Sequence, residues 1–368
     1  MVKANPKNER IKYNYLTYLE EAKRMTPETA EDALAAISFF ERSTRYKDFA
    51  AFHIEQAKRF KRYLSESRNE RTGNPLSKAT IHSRLNAVKS FFQWLAGQPG
   101  YKSKICYSDC DYFNPSANDV RIATARKETK VPTLEQIDHV LDVMPSDTLI
   151  EQRDRAIVAF AILTGARDNA IASFNLGHVD LVRRTVFHDA TTVRTKNRKT
   201  FTSTFFPLEG QAEKIVRDWC HTLRADCLFG VSDPLFPATK ISLNERGEFA
   251  PDGFRRKHWT TADPIRKVFR RAFAAADLPY FNPHSFRNTL AQLGQRVCRT
   301  PEEMKAWSQN LGHEEMMTTF TSYGKVDAHR QREILSRLAS SAVGNLDCTG
   351  DPSPVIIDWV LQYLRAKK

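Results

Sequence analysis

Three features of the sequence predict a two-domain, mainly helical protein with a small antiparallel sheet in its second half. The chain has 368 residues, more than one hydrophobic core usually serves. Its first third repeats apolar residues at steps of three and four, the signature of amphipathic helices. Beyond a polar, basic stretch at 116–130, short β-like runs interrupt the helical pattern.

In the first domain, residues 1–115, Thr26-Pro27-Glu28 reads as an N-cap followed by proline at the first helical position, opening a helix to about Ser43. A second helix is predicted from about Phe49 to Leu64. Gly73-Asn74-Pro75 then breaks the chain, and Ser77 caps a third helix with Ile81, Leu85, Val88, Phe92 and Leu95 on one side. Its other side carries Lys78, His82, Arg84 and Lys89, which reads either as a solvated basic face or as a track for a phosphate backbone. After Asn114-Pro115-Ser116, residues 116–130 are polar and basic with little periodicity and read as a linker.

The second domain, residues 131–345, opens with a helix after Val131-Pro132-Thr133, followed by a strongly apolar one over 150–163. Strands are expected at Thr185–His188, Thr191–Arg194 and Phe201–Phe206, with Thr195-Lys196-Asn197-Arg198-Lys199 as the hairpin turn between the last two. Helices then resume from Glu209 and continue, with loops, to about Ser341. A tail, residues 346–368, carries an apolar stripe of Ile356, Trp359, Val360, Tyr363 and Leu364. The stripe suits a helix that caps its own domain.

Composition narrows the class of partner. The formal net charge is +13, which favours a polyanion, because each Lys or Arg that meets a phosphate releases condensed counterions. No apolar run is long enough for a membrane span, and the lysine-bearing N-terminus lacks the apolar stretch of a secretion signal, so a cytoplasmic, nucleoid-associated protein with no membrane partner is expected. Cys106, Cys110, Cys220, Cys227, Cys298 and Cys348 form no C-x-x-C pair, and no histidine cluster completes a zinc pattern. No Gly-rich phosphate loop and no Mg²⁺-type carboxylate cluster is evident, so neither cofactor nor metal is expected.

Four pieces of sequence carry chemistry when taken together. Leu163-Thr164-Gly165-Ala166-Arg167 ends a buried helix in a glycine turn that presents an arginine, suited to bidentate phosphate contact. His284-Ser285-Phe286-Arg287 sets a histidine and an arginine three apart on one helix. Leu311-Gly312-His313 precedes Tyr323 by ten residues from the histidine, and Lys196 stands in the predicted turn. Alone, each has an ordinary structural explanation: a helix C-terminus with a favourable cation, a surface pair, a packed tyrosine, a solvated lysine.

In this order, Thr-Gly-x-Arg, turn lysine, His-x-x-Arg, Leu-Gly-His and tyrosine, the set resembles the tyrosine recombinase (integrase) family of phages and mobile elements. Asp233-Pro234-Leu235-Phe236-Pro237 resembles the segment these enzymes carry before the His-x-x-Arg box, and Ser77–Leu95 the last helix of their core-binding domain. The resemblance implies a SAM-like helical core-binding domain and a catalytic domain that form a C-shaped clamp on duplex DNA, with Lys78, His82, Arg84 and Lys89 among the contacts. It implies that Tyr323 attacks a DNA phosphate to form a 3′-phosphotyrosyl bond, that Arg167 and Arg287 hold the non-bridging oxygens, and that Lys196 protonates the departing 5′-oxygen. His284 would move the proton at the tyrosine and His313 would bond the phosphate. It further implies a homotetramer joined through the tail, attachment sites in double-stranded DNA, accessory DNA-bending proteins in some systems, and integration and excision of a mobile element.

Two departures from the family pattern stand out. The family commonly has Glu three residues after the first arginine, where this chain has Ala170 with Asp168 nearby, and the spacing from His313 to Tyr323 is one residue longer than in many members. Lys199 rivals Lys196, because one register slip would exchange them. Two other functions fit the same residue types: a type IB topoisomerase, and a non-catalytic DNA-binding regulator of the same fold.

Overall fold

In a computed structural model of the chain, the described residues are 4–70, 72–125, 130–243, 247–313, 331, 332 and 336. They fall into two compact units, residues 1–126 and 127–368, and are mainly helical with two small antiparallel sheets. Tyr323 and the tail stripe lie outside the described residues, as does Cys348. No described helix is long and apolar enough to cross a membrane.

The first unit holds α1 (Pro6–Thr17), α2 (Pro27–Ser43), α3 (Ile54–Glu66), α4 (Lys78–Ala96) and α5 (Ala117–Thr124). Thr26 and Ser77 cap α2 and α4 as their sequences predict, each side chain accepting from the backbone N–H three residues on. The helix expected from Phe49 starts later: Phe49–Ala51 is a 3₁₀ turn, and α3 begins at Ile54. Helix α1 was not foreseen, although Asn5 caps it and Pro6 opens it. The stretch 116–130, read as a linker, contains α5, with Ser116 accepting from Asp119 N. Aromatic rings fill the core, with Phe52 stacked on Phe92 at 4.2 Å and on Phe113 at 5.5 Å. The buried Asn8 pins α1 to this core. It donates to Glu41 Oε1 (2.8 Å) and Lys47 O (2.9 Å) and accepts from Phe49 N (3.0 Å), while Lys12 neutralises Glu41 at 2.9 Å.

The second unit is built around α7 (Leu149–Thr164), which follows α6 (Leu134–Val143). From Ala156 to Thr164 every residue of α7 is buried, so it is apolar all round, as a central helix must be. Capping boxes at Thr133/Gln136 and Thr148/Glu151 start the two helices. The short α8 (Asp168–Ile171) leads to a three-stranded sheet of β1 (Val179–Asp180), β2 (Thr185–His188) and β3 (Phe201–Thr204). The strand expected at Thr191–Arg194 does not form. β3 pairs directly with β2, in the register His188↔Phe201 and Thr185↔Thr204, and residues 189–200 make one long connection. Asp189 is the reason: its carboxylate accepts from Thr191 N (2.9 Å) and from the Thr191 and Thr192 hydroxyls, a local turn that competes with strand pairing.

After α9 (Ala212–Ala225), an unforeseen ribbon of β4 (Ala238–Leu243) and β5 (Phe249–Arg255) stands where only helices and loops were expected. Then come α10 (Asp263–Ala275), α11 (Pro283–Val297) and α12 (Pro301–Asn310). Asp233-Pro234-Leu235 lies against the segment after α8: Leu176 N donates to Asp233 O and Leu235 N to Phe174 O. Close approach of α11 and α12 requires Gly294, where a Cβ would stand 2.6 Å from Trp307 Nε1.

Candidate active site

The end of α7 sets the floor of the site. Gly165 stops the helix with φ +62°, and a Cβ there would stand 2.8 Å from Leu311 Cδ2 and 3.1 Å from Leu290 Cδ1. Both the left-handed backbone and the packing therefore demand glycine. The turn continues through Ala166 into Arg167, a half-buried residue at the N-cap of α8. The neighbouring Asp168 accepts from Arg266 Nε of α10 at 2.8 Å.

Arg287 lies one turn into α11, which starts sharply because Asn282 caps it and Pro283 fixes its first φ. The side chain is 3% exposed. It donates to Gly165 O, to Leu311 O (2.6 Å) and to His313 Nε2 (3.2 Å). One guanidinium thus ties the Thr-Gly-x-Arg turn to the Leu-Gly-His turn. Since a guanidinium can only donate, His313 Nε2 is the acceptor and the ring proton sits on Nδ1. Burial, then the charges of Arg287 and Arg167, push the His313 pKa down to about 4, so the ring is neutral at pH 7. His284, at the start of α11, is exposed at its surface. Desolvation by the atoms packed around it, then Arg287 and Arg167, lower its pKa as well.

The connection between β2 and β3 supplies the lysines. Asn197 and Arg198 take positive φ (59° and 49°), making a tight turn between Lys196, which is exposed, and Lys199, which is half-buried. Arg194 anchors the near end, donating to Trp259 O (2.7 Å), Ala172 O (3.2 Å) and Thr260 O. At the far end, Asn310 exchanges two bonds with Thr204: it accepts from Thr204 N (2.6 Å) and donates to Thr204 O (2.8 Å). Gly312 brings the Leu-Gly-His turn so close that a Cβ would stand 2.7 Å from Phe201 Cζ.

These pieces enclose one cavity of about 200 Å³. Arg167, Lys196, Lys199, Arg287, His188 and His313 line it, and no described lining residue is Asp or Glu. Preorganised donors and fixed positive charge without a competing carboxylate suit a phosphate that gathers negative charge as it reacts. No cluster of metal-ligating side chains occurs among the described residues. Ala170 lines the cavity where the family commonly has Glu, and Asp168 is engaged by Arg266 instead.

Of the sequence candidates, the structure brings Arg167, Lys196, Arg287 and His313 to this cavity, with Lys199 beside Lys196. His284 is close enough for Arg287, Arg167 and Lys196 to act on its titration. Tyr323 lies outside the described residues. Sequence reasoning missed His188. It is 3% exposed, stacks on Phe201 at 4.1 Å, meets Ser203 Oγ through Nε2 (2.9 Å), and has its pKa pushed down to about 3 by burial and then by Arg287 and Arg167. Its only sequence signal is its place on the buried phase of the strand Thr185–His188.

On α4, Lys78, His82 and Lys89 follow at steps of four and seven and share one stripe. Lys78 pairs with Asp119 (2.6 Å), and Lys89 with Asp111 (2.7 Å). Arg84 does not share the stripe. It turns to the other side and stacks on Phe39, 3.9 Å from the ring centroid.

The chain is 24% identical to the tyrosine recombinase XerC of Roseiflexus sp. (strain RS-1) over 264 residues, covering 71% of this chain and 70% of that one. To the XerC of Bacillus licheniformis it is 20% identical over 327 residues, covering 88% and 92%. In fold it is similar to the Tn1549 transposon integrase in complex with transposon right end DNA (TM-score 0.58, 15% identity, 89% of this chain and 99% of that one). It is similar also to a lambda integrase dimer bound to a COC′ core site (TM-score 0.57, 11% identity, 87% and 99%). The Phage integrase family matches residues 130–330, more than half of the chain and the whole of the cavity described above. The chain therefore belongs to the phage integrase family, the tyrosine recombinases, whose members are DNA strand-exchange enzymes.

Proposed function

We propose that this chain is a site-specific recombinase that cuts and rejoins duplex DNA through a 3′-phosphotyrosyl bond to Tyr323, and that it integrates and excises a mobile element. The observation that carries the reading is Arg287, a buried cation clamped between the carbonyls of Gly165 and Leu311 at the edge of a cavity lined by cations. Arg167 and Arg287 hold the non-bridging oxygens of the scissile phosphate and stabilise the charge of the five-coordinate state. The Tyr323 oxygen forms its bond to phosphorus as the bond to the 5′-oxygen breaks. His284, neutral at pH 7, takes the phenolic proton, which an unassisted phenol of pKa about 10 would retain. Lys196, with Lys199 as the alternative, gives a proton to the leaving 5′-oxygen, and the neutral His313 donates to the phosphate from Nδ1. Rejoining reverses each step, so the ester conserves the energy of the phosphodiester and no nucleotide is consumed.

DNA as partner is supported by the net charge of +13 and by the DNA complexes formed by its fold neighbours. Residues 1–126 would contact duplex through the Lys78, His82 and Lys89 stripe. The C-terminal tail would join subunits into a tetramer, with accessory bending proteins where the site requires them.

The test uses nicked duplexes made from the DNA that flanks the gene. Wild type should leave a protein–DNA adduct that survives denaturing gels, Tyr323→Phe should leave none, and both should bind the duplex equally. Binding by both proteins with no adduct from either, across all flanking repeats, would establish a non-catalytic regulator instead. Relaxation of supercoiled plasmid without exchange between two marked duplexes would establish a topoisomerase.

A further inference from the structure

We propose that Asn310 is a positioning residue, a clasp that holds the lysine-bearing connection in register with the Arg287–His313 cluster. The proposal rests on the recombinase reading and assigns a role to a side chain outside that proton and phosphate chemistry. Thr185↔Thr204 is a pair flanked by ladder bonds rather than carrying them, since Phe205 N donates to Arg184 O at 2.8 Å. The N–H and C=O of Thr204 therefore point away from β2, at the open edge of the sheet. Asn310 supplies both complements, Oδ1 for the N–H (2.6 Å) and Nδ2 for the C=O (2.8 Å), and so acts as one residue of a fourth strand. Among side chains only a carboxamide can accept and donate across that spacing, and it leaves no choice in the amide's orientation.

What the clasp joins gives it a consequence. Asn310 immediately precedes Leu311-Gly312-His313, whose Leu311 carbonyl and His313 imidazole hold Arg287. Thr204 ends the strand that begins at Phe201, two residues beyond Lys199. Phe201 touches the same turn at Gly312 and stacks on His188. Arg194 fixes the other end of the connection, but the lysines lie in a tight turn that is itself exposed at Lys196. Without the clasp, β3 keeps β2 as partner and loses its tie to the turn that holds the arginine. The lysine then reaches the leaving oxygen in a smaller fraction of complexes, while the arginines still bind the phosphate.

The variant is Asn310→Leu, which keeps the side-chain size, removes both bonds and adds no charge to the cavity. On the nicked duplex that traps the wild-type adduct, single-turnover cleavage should slow by about 10- to 100-fold, the range a displacement on the order of 1 Å costs, with duplex affinity unchanged. On the same duplex with sulfur replacing the scissile 5′-oxygen, a thiolate departs without needing a proton, and cleavage should return to within about 3-fold of wild type, as it should for Lys196→Ala or Lys199→Ala. A defect of equal size on both duplexes, or none on either, overturns the proposal. Amide exchange tests it without DNA: peptides covering 189–206 should exchange several-fold faster in the variant, and those of α7 should not change. Equal exchange in 189–206 overturns the clasp, whereas a wild type that cleaves neither duplex overturns the recombinase reading and leaves the exchange result to decide the clasp.

Discussion

Gly165→Ala is the substitution whose cost can be worked from two separate sources. The backbone at Gly165 has φ +62°, and a residue with a Cβ there costs roughly 1–2 kcal/mol. The new methyl would also stand 2.8 Å from Leu311 Cδ2 and 3.1 Å from Leu290 Cδ1, both of them fully buried. Ordinary carbon contacts begin near 3.5 Å, and forcing a methyl into a packed core costs about 1–3 kcal/mol. The sum is about 2–5 kcal/mol, or a fall in melting temperature of roughly 4–20 °C for a unit of this size. Gly253→Ala is the control, because Gly253 has φ +77° with nothing within 4 Å of its would-be Cβ, so only the backbone contribution applies. Thermal melting of the two variants isolates the packing term by difference. Gly165→Ala should also slow adduct formation at least about 10-fold, since Leu311 carries the carbonyl that holds Arg287 and must move to admit the methyl. If the two variants melt within about 2 °C of each other, the contact between the Gly165 turn and Leu311 is not as tight as described.

Stability should fall on mild acidification. His313 and His188 have pKa values pushed down to about 4 and about 3, so between the ordinary imidazole value and those values the unfolded chain binds more protons than the folded one. Their contribution is full above about pH 6.5 and is lost downwards at up to about 1.4 kcal/mol per pH unit for each ring, which urea midpoints at pH 7.5, 6 and 5 would reveal; a flat response over that range would mean the rings are not buried neutral. Arg153→Met should cost about 3–5 kcal/mol, because Arg153 is 2% exposed, bonds Asp154 at 2.7 Å and stacks over Trp259 at 4.8 Å, and its loss leaves a buried carboxylate with only Arg271. Asp154→Leu added to it should recover most of that loss in a urea titration, and failure to recover would show that the pair matters through packing alone.

How much of this was legible in the sequence differs between elements. Caps and periodicity marked α2, α4 and α6, and unbroken apolarity marked α7, because these signals are local: Thr26, Ser77 and Thr133 each bond a backbone N–H three residues away. The spaced motifs likewise named Arg167, Lys196, Arg287 and His313, all of which reach one cavity. The strand pairing was misjudged because Thr191–Arg194 has strand-like residues that Asp189 folds into a turn, and the β4–β5 ribbon went unseen among helical patterns.

By itself, then, the sequence determined where most helices start and offered short motifs whose residues line one cavity, since caps, periodicity and each motif are matters of neighbours a few positions apart. Only the tertiary structure decided that Arg287 spans the carbonyls of residues 165 and 311, that His188 belongs to the cavity, and that Asn310 completes the edge of β3. Those contacts join residues more than a hundred positions apart or on separate elements, such as Thr204 and Asn310, and no local propensity or periodicity encodes a partner at that range. Which lone histidine or asparagine matters is fixed by the packing that desolvates it and by the backbone groups left open at the far end of the fold.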